Sequence, residues 1–535
     1  SDCHPINEYL NDSSKNNMNH RCLSCPLGAD CEGDTAWKDV HAKSGWWRLE
    51  VAEDRINPPM CLKLYQGVNP PCVFAPCLYP LACQGDNNGT FERCDEAKGY
   101  KNNCTSNDND NGTDIIVRCR LCATCKPGYK RTGSKTKCQE CPNIHTNRGF
   151  IALGVFIMFI GSAFMIYLQI TSEMAHEETS NTVQKIILNF LQIVSLAGGL
   201  PLQWPASISV MFESFGFLSS AGTTLLIPDC ELSHLRPAEA FYYKQIFFTF
   251  LVPIIIVVCL ISWSLLRCCC KTRLKLRNGR TKDYIILSIV LLLFLCYPLC
   301  TKITLSMLKC PWIGSGRWLL ADLQEPCFKN DHLFYMMLLT VPQILIYIIG
   351  LPVAATLLIV INKKHLHKKK FYMRYGLLYL GYKDNRAWWE LIIAIRKVSV
   401  VAIGTFGTLL RVVDVQAHLA SLVIFISIVL HIIGKPFDME QDNTRLLYNF
   451  ELFALVISWS TFYGGLFFYL GKEKPGSISI GVKEFVTVML VVANISFLAV
   501  SIFIFVREFL KEKRAAKKRK LKRILSQQEG IAKLK

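Results

Sequence analysis

The stretch FFTFLVPIIIVVCLISWSLL, residues 247–266, is twenty residues long and contains no charged side chain. An α-helix of this length rises about 30 Å, which matches the hydrocarbon core of a bilayer. Similar apolar runs recur along the 535 residues, of which 51% are hydrophobic. The sequence therefore predicts an all-α polytopic membrane domain.

Nine apolar runs are long enough to be candidate spans. The second is the weakest, because GGLPLQWP interrupts it, and the apolar residues after the interruption predict a re-entrant or interfacial helix. The nine runs lie near 149–170, 184–203, 240–266, 283–306, 333–362, 388–410, 415–434, 447–470 and 482–506.

The interruption in the second run is a candidate functional segment. Backbone groups that a helix break frees are tolerated at membrane depth only where they pack in protein or line a cavity. This broken segment contains Gly198, Gly199, Pro201, Trp204 and Pro205.

The cysteines are concentrated at the amino-terminal end. Of 24, fifteen precede residue 142 and none follows Cys327. This distribution is typical of a disulfide-rich domain in an oxidising compartment. We therefore expect a small loop and β ectodomain at 1–143, a nine-helix membrane domain at 149–506 and a basic cytosolic tail helix at 507–535.

The cysteine spacing admits two interpretations. The CxxC pairs at 122–125 and 138–141 also have the spacing of a four-thiolate zinc site. Thiols in an oxidising compartment are oxidised before they can bind zinc. Disulfides are therefore favoured, and no metal or other cofactor is predicted.

Three further cysteines fall in loops on the same predicted side as the ectodomain. They bring the outer cysteines to eighteen, an even number that can pair completely. An odd ectodomain cysteine would then pair with a loop of the membrane domain; the alternative is a free thiol. The disulfide candidates are Cys22, Cys25, Cys31, Cys119, Cys122, Cys125, Cys138, Cys141, Cys230, Cys310 and Cys327.

Glycosylation sequons also place the amino-terminal region outside the cytosol, because N-glycosylation occurs on the lumenal or extracellular side. The candidate sites are Asn11, Asn88, Asn103 and Asn111. The chain begins at Ser1 without an apolar leader. Either a signal peptide has been removed or upstream sequence is missing.

Basic residues set the predicted orientation, since loops rich in Lys and Arg stay in the cytosol. Lys and Arg number seven in 267–282, eight in 363–387 and twelve from residue 507 onward, against about seven in the outward loops after the first span. The amino terminus is therefore expected to be extracellular or lumenal and the carboxyl terminus cytosolic, in the plasma membrane or an endomembrane.

The net charge of +19 comes from the same loops and tail. It indicates a membrane surface rather than nucleic acid as a partner. Anionic lipids at the tail are one expectation, and a topology anchor without a ligand is the alternative. Three cysteines directly below the third span are palmitoylation candidates: Cys268, Cys269 and Cys270.

Charged residues inside the sixth and eighth runs are the second candidate site. AWWELIIAIRK, residues 387–397, places Glu390, Arg396 and Lys397 in an apolar helix, and Glu451 begins the eighth run at a similar level. Such charges face a bundle interior or a watery cavity. They form either a buried ion-pair clamp or a hydrated ion path.

Several segments resemble known families. Cys22-x2-Cys25-Pro-Leu-Gly and the CxxC units at 119–141 resemble ephrin-receptor-like and growth-factor-receptor-like modules, which implies protein binding or spacing from the membrane. The segments KIILNFLQIVSLAGGLPLQWP, LIYIIGLPV and RYGLLYLGYKDNRAWWELIIAIRK resemble the TRP-like (transient-receptor-potential-like) membrane region of protist proteins. That resemblance covers 149–506 and implies a cation channel or calcium-handling protein.

The chain departs from tetrameric channels between its last two runs. The connecting loop GKEKPGSISIG, residues 471–481, has two lysines and one acid and is too short for a pore helix and filter. An ion path would therefore run through the charged helices or beside the broken segment.

No enzyme motif appears, so an enzyme is not expected. The sequence favours a TRP-like cation channel with a cysteine-rich sensing or partner-binding ectodomain. The alternative is a non-conducting cell-surface receptor or an adhesion or assembly scaffold, and a secondary transporter is less favoured. The expected partners are the bilayer, cations and an extracellular protein; the oligomeric state stays open.

Overall fold

A computed structural model of the chain describes residues 3–4, 8–11, 21–32, 36, 40–49, 74–85, 93–107, 114–132, 137–171, 179–200, 202, 204–219, 229–269, 281–313, 316–406, 413–473 and 479–532. The chain forms two compact units. The disulfide-rich unit comprises Ser1–Gly149, Pro228–Gln245 and Met307–Thr340. The helical unit comprises Phe150–Ile227, Ile246–Ser306 and Val341–Lys535.

The disulfide-rich unit contains short antiparallel strands. All thirteen described strands lie either in two-stranded sheets or in the three-stranded sheet formed by the last three strands, and each sheet buries little apolar surface by itself. In chain order β1 to β13 are Glu8–Asn11, Arg21–Ser24, Ala29–Asp30, His41–Ala42, Trp46–Arg48, Phe74–Pro76, Asn103–Asn107, Asp114–Arg118, Tyr129–Thr132, Lys137–Glu140, Trp312–Ile313, Gly316–Leu319 and Asp322–Pro326.

Disulfides cross-link the strands and the loops around them and compensate for the small core. Seven lie between segments close in sequence, and one closes a loop of 89 residues. The described bridges are Cys3–Cys22, Cys25–Cys31, Cys77–Cys83, Cys94–Cys122, Cys104–Cys119, Cys125–Cys138, Cys141–Cys230 and Cys310–Cys327.

The core of this unit mixes residues from before and after the first membrane helices. Leu323 of β13 is fully buried in the same cluster as Trp47 and Leu121. Arg120 Nη1 donates to the Leu323 carbonyl oxygen at 2.5 Å. These long-range contacts explain why the compact unit extends beyond the sequence boundary at residue 143.

The helical unit is built from long apolar helices, some of which begin in the disulfide-rich unit. In chain order α1 to α11 are Ile144–Thr171, Thr179–Ala197, Ala206–Ser219, Pro237–Cys269, Thr281–Ser306, Asn330–Ile361, Lys369–Tyr379, Glu390–Phe406, Val413–Gly434, Asp442–Glu473 and Ile480–Ala532. Within α6, the turns Met336–Thr340 and Ile344–Gly350 are π-helical.

Seven helices of the described chain are long and apolar enough to cross a membrane, whereas the sequence predicts nine spans. The seven are α1, α4, α5, α6, α9, α10 and α11. The predicted spans at 184–203 and 388–410 correspond to α2 and α8, which fall short of this criterion. The described part of α8 has 17 residues, and α2 carries four amide side chains and one lysine within its apolar sequence.

Burial explains how α2 can remain in the interior with so many polar residues. Most of its 19 residues are buried, and it packs against α3, α10 and α11. A helix surrounded by other helices needs partners for its polar groups rather than an apolar face toward lipid. Local composition therefore understates how deeply α2 lies in the bundle.

Candidate functional site

The charged residues of α8 lie in a buried cluster of the helical unit. A short 3-10 turn, Asp384–Trp389, leads into α8. Trp389 of that turn is buried against Gly434, where an added Cβ would lie 2.3 Å from the indole ring. This packing fixes the start of α8, so Glu390, Arg396 and Lys397 enter the bundle at set positions.

Arg396 and Glu451 form an ion pair between α8 and α10. Arg396 Nη2 lies 3.4 Å from Glu451 Oε1, and both side chains are only 6% exposed. Arg396 Nε is buried without a hydrogen-bond partner among the described residues. A buried pair of this kind is costly to break, because removal of one partner leaves the other charge uncompensated.

Glu390 has a second cation as its partner, Lys185 of α2. Lys185 Nζ lies 3.3 Å from Glu390 Oε2 and 4.0 Å from the centre of the Tyr382 ring. The Tyr382 hydroxyl donates to the same carboxylate oxygen at 3.1 Å. Sequence reasoning missed Lys185, although its spacing with Asn189 and Gln192 places three polar side chains on one helical face.

Lys397 connects α8 with two further helices. Its Nζ donates to Asn189 Oδ1 of α2 at 2.7 Å and lies 4.7 Å from the centre of the Phe294 ring of α5. A cation over an aromatic face is stabilised where water is excluded. Each of the four charges predicted as a cluster therefore has a polar or aromatic partner in the bundle.

The arrangement links α2, α5, α8 and α10 through charged and polar contacts. Two carboxylates face three cations, and none of these five side chains is solvent-exposed. Nearby, His431 Nε2 lies 3.1 Å from the Tyr448 carbonyl oxygen. Chemically, this geometry can hold helices in one register.

The broken segment packs inside the helical unit. α2 ends at Ala197, and the Trp204 indole nitrogen donates to the Ala197 carbonyl oxygen at 3.1 Å. The Trp204 ring contacts Phe212 edge to face at 4.9 Å. An added Cβ on Gly465 would lie 2.6 Å from Trp204, so α10 approaches closely.

The glycines of this segment complete the turn between α2 and α3. The Gly198 amide donates to the Ser195 carbonyl oxygen at 3.2 Å, and the Gly199 amide donates to the Leu196 carbonyl oxygen at 3.0 Å. These bonds satisfy carbonyls at the end of α2. Pro205 immediately precedes α3, and Pro201 lies outside the described residues.

Every cysteine that the sequence proposes as a disulfide candidate lies in one of the described bridges. Cys141, just before α1, pairs with Cys230, just before α4, and their Cα atoms are 5.7 Å apart. Thus a cysteine of the amino-terminal region is bonded to a loop between membrane-length helices. Sequence alone left the partner of each cysteine open.

The modification candidates are only partly described. Asn103 is exposed on β7 and Asn11 ends β1, whereas Asn88 and Asn111 lie outside the described residues. Cys268 is a free, exposed thiol near the end of α4. Cys269 ends the same helix, and Cys270 is again outside the described chain.

One group of potential metal ligands occurs in the described chain: Cys310, Cys327 and His332. Both sulfurs are already bonded to each other. His332 is buried, and its Nε2 lies 3.0 Å from the Met307 carbonyl oxygen. The group therefore offers no pair of thiolates while the disulfide is intact.

Polar residues between α4, α5 and α6 form another contact that the sequence analysis missed. Gln343, between the two π-helical turns, accepts from Thr304 at 2.5 Å and donates to Thr249 at 2.6 Å. Tyr347 donates to the Thr249 carbonyl oxygen at 2.6 Å. The π-helical turns thus bring the side chains of Gln343 and Tyr347 to the same residue, Thr249.

These features define the class of protein as a mostly helical one, with seven apolar helices of membrane-spanning length in the described chain and a disulfide-rich amino-terminal region. In comparisons with known proteins, the chain is 22% identical over 543 residues to "Cysteine repeat modular protein A" of Toxoplasma gondii. The match covers 88% of this chain but 16% of that relative, so the chain spans about a sixth of its length.

No family model and no solved structure matches the chain. The similarity to the Toxoplasma protein agrees with the cysteine-rich region. The TRP-like and ephrin-receptor-like resemblances receive no support from these comparisons.

Proposed function

We propose that the chain is a membrane-anchored receptor or assembly scaffold, and that the disulfide-rich unit binds its partner on the extracellular or lumenal side. One observation carries this proposal: the unit combines the amino-terminal region with the segments ahead of α4 and between α5 and α6. A binding domain that only needs an anchor requires one span. Here the domain includes the segments ahead of α4 and between α5 and α6, so its fold depends on parts of the chain that adjoin several membrane-length helices.

The Cys141–Cys230 bridge supports a specific path through the membrane. A disulfide forms between thiols in the same oxidising compartment, so α1 must be followed by a return crossing before Cys230. Helix α2 has 19 residues and rises about 28 Å, whereas α3 has 14 and rises about 21 Å. Helix α2 is therefore the favoured return crossing.

Whether α8 crosses the membrane determines on which side of the membrane the carboxyl terminus lies. Because α6 begins beside the Cys310–Cys327 loop, its far end at Ile361 lies in the cytosol in this topology. A crossing by α8, followed by α9, α10 and α11, returns the basic tail to the cytosol. The twelve basic residues from Arg507 onward favour this arrangement of nine crossings.

The charged cluster fits a clamp within this anchor. Its carboxylates and cations contact one another, and Lys397 is held by an amide and an aromatic ring. A hydrated ion path instead needs groups that can face water and release ions. The clamp therefore accounts for these contacts without conductance.

One observation favours a cation channel as a second candidate. Several polar atoms inside the helical unit are buried without hydrogen-bond partners in the described chain, among them both amide atoms of Gln192, Ser421 Oγ and Asn494 Oδ1. Buried polar groups of this kind bind water. Water inside the bundle would be the starting point of an ion path.

Site-specific photocrosslinking on intact cells tests the proposed binding function. Ile116 on β8 is 74% exposed, and Ile361, at the far end of α6, lies on the opposite side of the membrane in the proposed topology. A benzophenone side chain at position 116 is expected to give a protein adduct of discrete mass, and one at position 361 is the control. The absence of any adduct from position 116 and from a second exposed position, Leu81, would reject partner binding at this surface.

A conductance measurement separates the two candidates. The purified protein in a planar bilayer is expected to be silent across voltage, calcium and tension. Currents whose ion selectivity changes in Glu451→Gln would establish a channel instead.

A further inference from the structure

A cavity of about 370 Å³ lies within the disulfide-rich unit. Its walls come from all three chain segments of that unit: the region of β7 and β9, residues 229–244, and residues 321–324. A volume of this size is typical of small-molecule sites. The site exists only because the three segments fold together.

The cavity is predominantly basic. Two of its cations are already paired with acids: Lys244 with Asp229, and Arg236 with Glu239 at 2.9 Å. The lining contains five cationic and two acidic side chains, namely Lys101, Lys130, Arg131, Arg236, Lys244, Asp229 and Asp322. A positive balance remains on the walls.

The carboxylate of Asp322 is also occupied. It accepts from the Ala238 amide at 3.2 Å and from the Gln324 amide at 3.0 Å. The first of these bonds caps the start of α4. Asp322 therefore already accepts two backbone hydrogen bonds, and its charge also acts on Arg131.

Arg131 uses only one of its three guanidinium nitrogen atoms in hydrogen bonds to the described residues. Its Nη1 donates to the carbonyl oxygens of Leu320 at 2.8 Å and Ala321 at 3.2 Å. Its Nε and Nη2 are buried, and no described residue accepts from them. Burial lowers the pKa of Arg131, because the charged guanidinium loses water, and the charge of Asp322 offsets only part of this effect.

Gln324 supplies an independent second observation. This residue also lines the cavity and is only 6% exposed, and its Nε2 has no acceptor in the described part of the chain. Buried donors without partners cost free energy, which a ligand that accepts their hydrogen bonds recovers. Three unused N–H-bearing atoms thus belong to two residues, from different chain segments, that line one basic cavity.

We propose that this cavity binds an oxyanion of the phosphate or sulfate class, held by Arg131 and Gln324 with Lys101 and Lys130 as charge partners. A guanidinium fork offers two parallel donors to such a group, and an amide adds a neutral third donor. The inference goes beyond the proposed function, because it assigns a class of small ligand to the unit. This assignment does not depend on which macromolecule the unit binds.

Two sources could carry this oxyanion: a small soluble molecule or a phospholipid headgroup. Phe241 and Lys244 line the cavity and lie on α4, within eight residues of its start at Pro237. Because α4 is a membrane-length helix, its first turns are at headgroup level in the proposed topology. A headgroup source is therefore accessible to the same donors.

Binding assays with the full chain in phosphatidylcholine nanodiscs test the proposal. Inorganic phosphate and inorganic sulfate are titrated first, and nanodiscs that contain phosphatidic acid are then compared with nanodiscs that lack it. The readouts are titration calorimetry for the soluble ions and the thermal unfolding midpoint for both sources. Saturable binding of either ion, or stabilisation by phosphatidic acid alone, supports the proposal and identifies the source.

The variants are chosen to remove donors without removing Arg131 from the carbonyl groups that it holds. Gln324→Met deletes the amide at similar volume, and Lys130→Glu reverses one wall charge; each is expected to weaken binding about tenfold or more. Lys137→Glu, on the exposed strand β10 and away from the cavity, is the matched charge control.

Three results would overturn the proposal. The first is the absence of saturable binding or stabilisation with phosphate, sulfate and phosphatidic acid. The second is equal weakening by Lys137→Glu and Lys130→Glu, which would indicate nonspecific surface charge. The third is wild-type affinity in Gln324→Met and Lys130→Glu variants whose disulfides and unfolding midpoints are unchanged.

Discussion

Cys141 and Cys230 are bonded across 89 residues, so the segment before α1 and the segment before α4 are held together in one unit. The chain between them includes α1, α2 and α3. This single bond therefore constrains both the boundary of the disulfide-rich unit and the number of membrane crossings between its two ends. The disulfide connectivity therefore bears directly on the membrane topology.

The Arg396–Glu451 pair predicts a large loss of stability in Glu451→Gln. The variant leaves Arg396 buried without its carboxylate, at a cost of about 3 to 5 kcal/mol. The measurement is thermal unfolding of the purified protein in detergent. Glu484→Gln, at an exposed position of α11, is the matched control and should leave the midpoint unchanged; equal midpoints for both variants would contradict the clamp.

Close packing of α10 on the broken segment predicts that Gly465→Ala is destabilising. The new methyl group would lie 2.6 Å from Leu202 and Trp204, which must shift at a cost of about 1 to 3 kcal/mol. Gly481→Ala, with open space around its position, serves as the control. An unchanged unfolding midpoint for Gly465→Ala would show that Trp204 does not pack there.

Glu325 predicts a pH-dependent stability of the disulfide-rich unit. Burial raises the pKa of its carboxyl from 4.5 to about 7, and nearby Asp322 and Asp331 act in the same direction. The folded protein therefore retains a proton that the unfolded chain releases between these values. The free energy of unfolding should decrease as the pH rises from about 4.5 to 7.

The variant Glu325→Gln isolates this effect. It should raise the unfolding midpoint at pH 8, where the wild-type carboxylate is charged, and change it little at pH 4. Glu140→Gln, at an exposed position on β10, is the control at both pH values. A midpoint difference that is the same at pH 4 and pH 8 would exclude titration of Glu325 as the cause.

The proposed topology predicts opposite accessibility for two loops. A cysteine at Ile116 should react with a membrane-impermeant maleimide on intact cells, whereas one at the exposed His367 should react only after permeabilisation. The background is a variant in which Cys268, Cys269 and Cys270 are replaced by serine. Labelling of position 367 on intact cells would rule out nine crossings with a cytosolic tail.

Much of the fold could be predicted from composition. Long uncharged runs such as residues 247–266 correspond to α4 and the other lipid-compatible helices, because a bilayer demands a minimum apolar length. The second run was the weakest in the sequence because GGLPLQWP interrupts it, and the polar residues of α2, Lys185 and Asn189, find their partners in other parts of the chain. A single segment does not reveal such partners.

The candidate site was predictable only in part. The similar depth of Arg396 and Glu451 could be inferred from their positions in two apolar runs, but Lys185 as the partner of Glu390 depends on a contact between residues 205 apart. The disulfide connectivity and the basic cavity could not be predicted for the same reason. They arise from tertiary proximity of distant segments, which spacing within one segment does not encode.

Mapping the disulfides of the non-reduced protein by mass spectrometry tests the central claim most directly. The account predicts a peptide pair joined through Cys141 and Cys230, which would place the segments before α1 and α4 on one side of the membrane in one unit. A bond from Cys141 to another cysteine of the amino-terminal region, with Cys230 free, would contradict it.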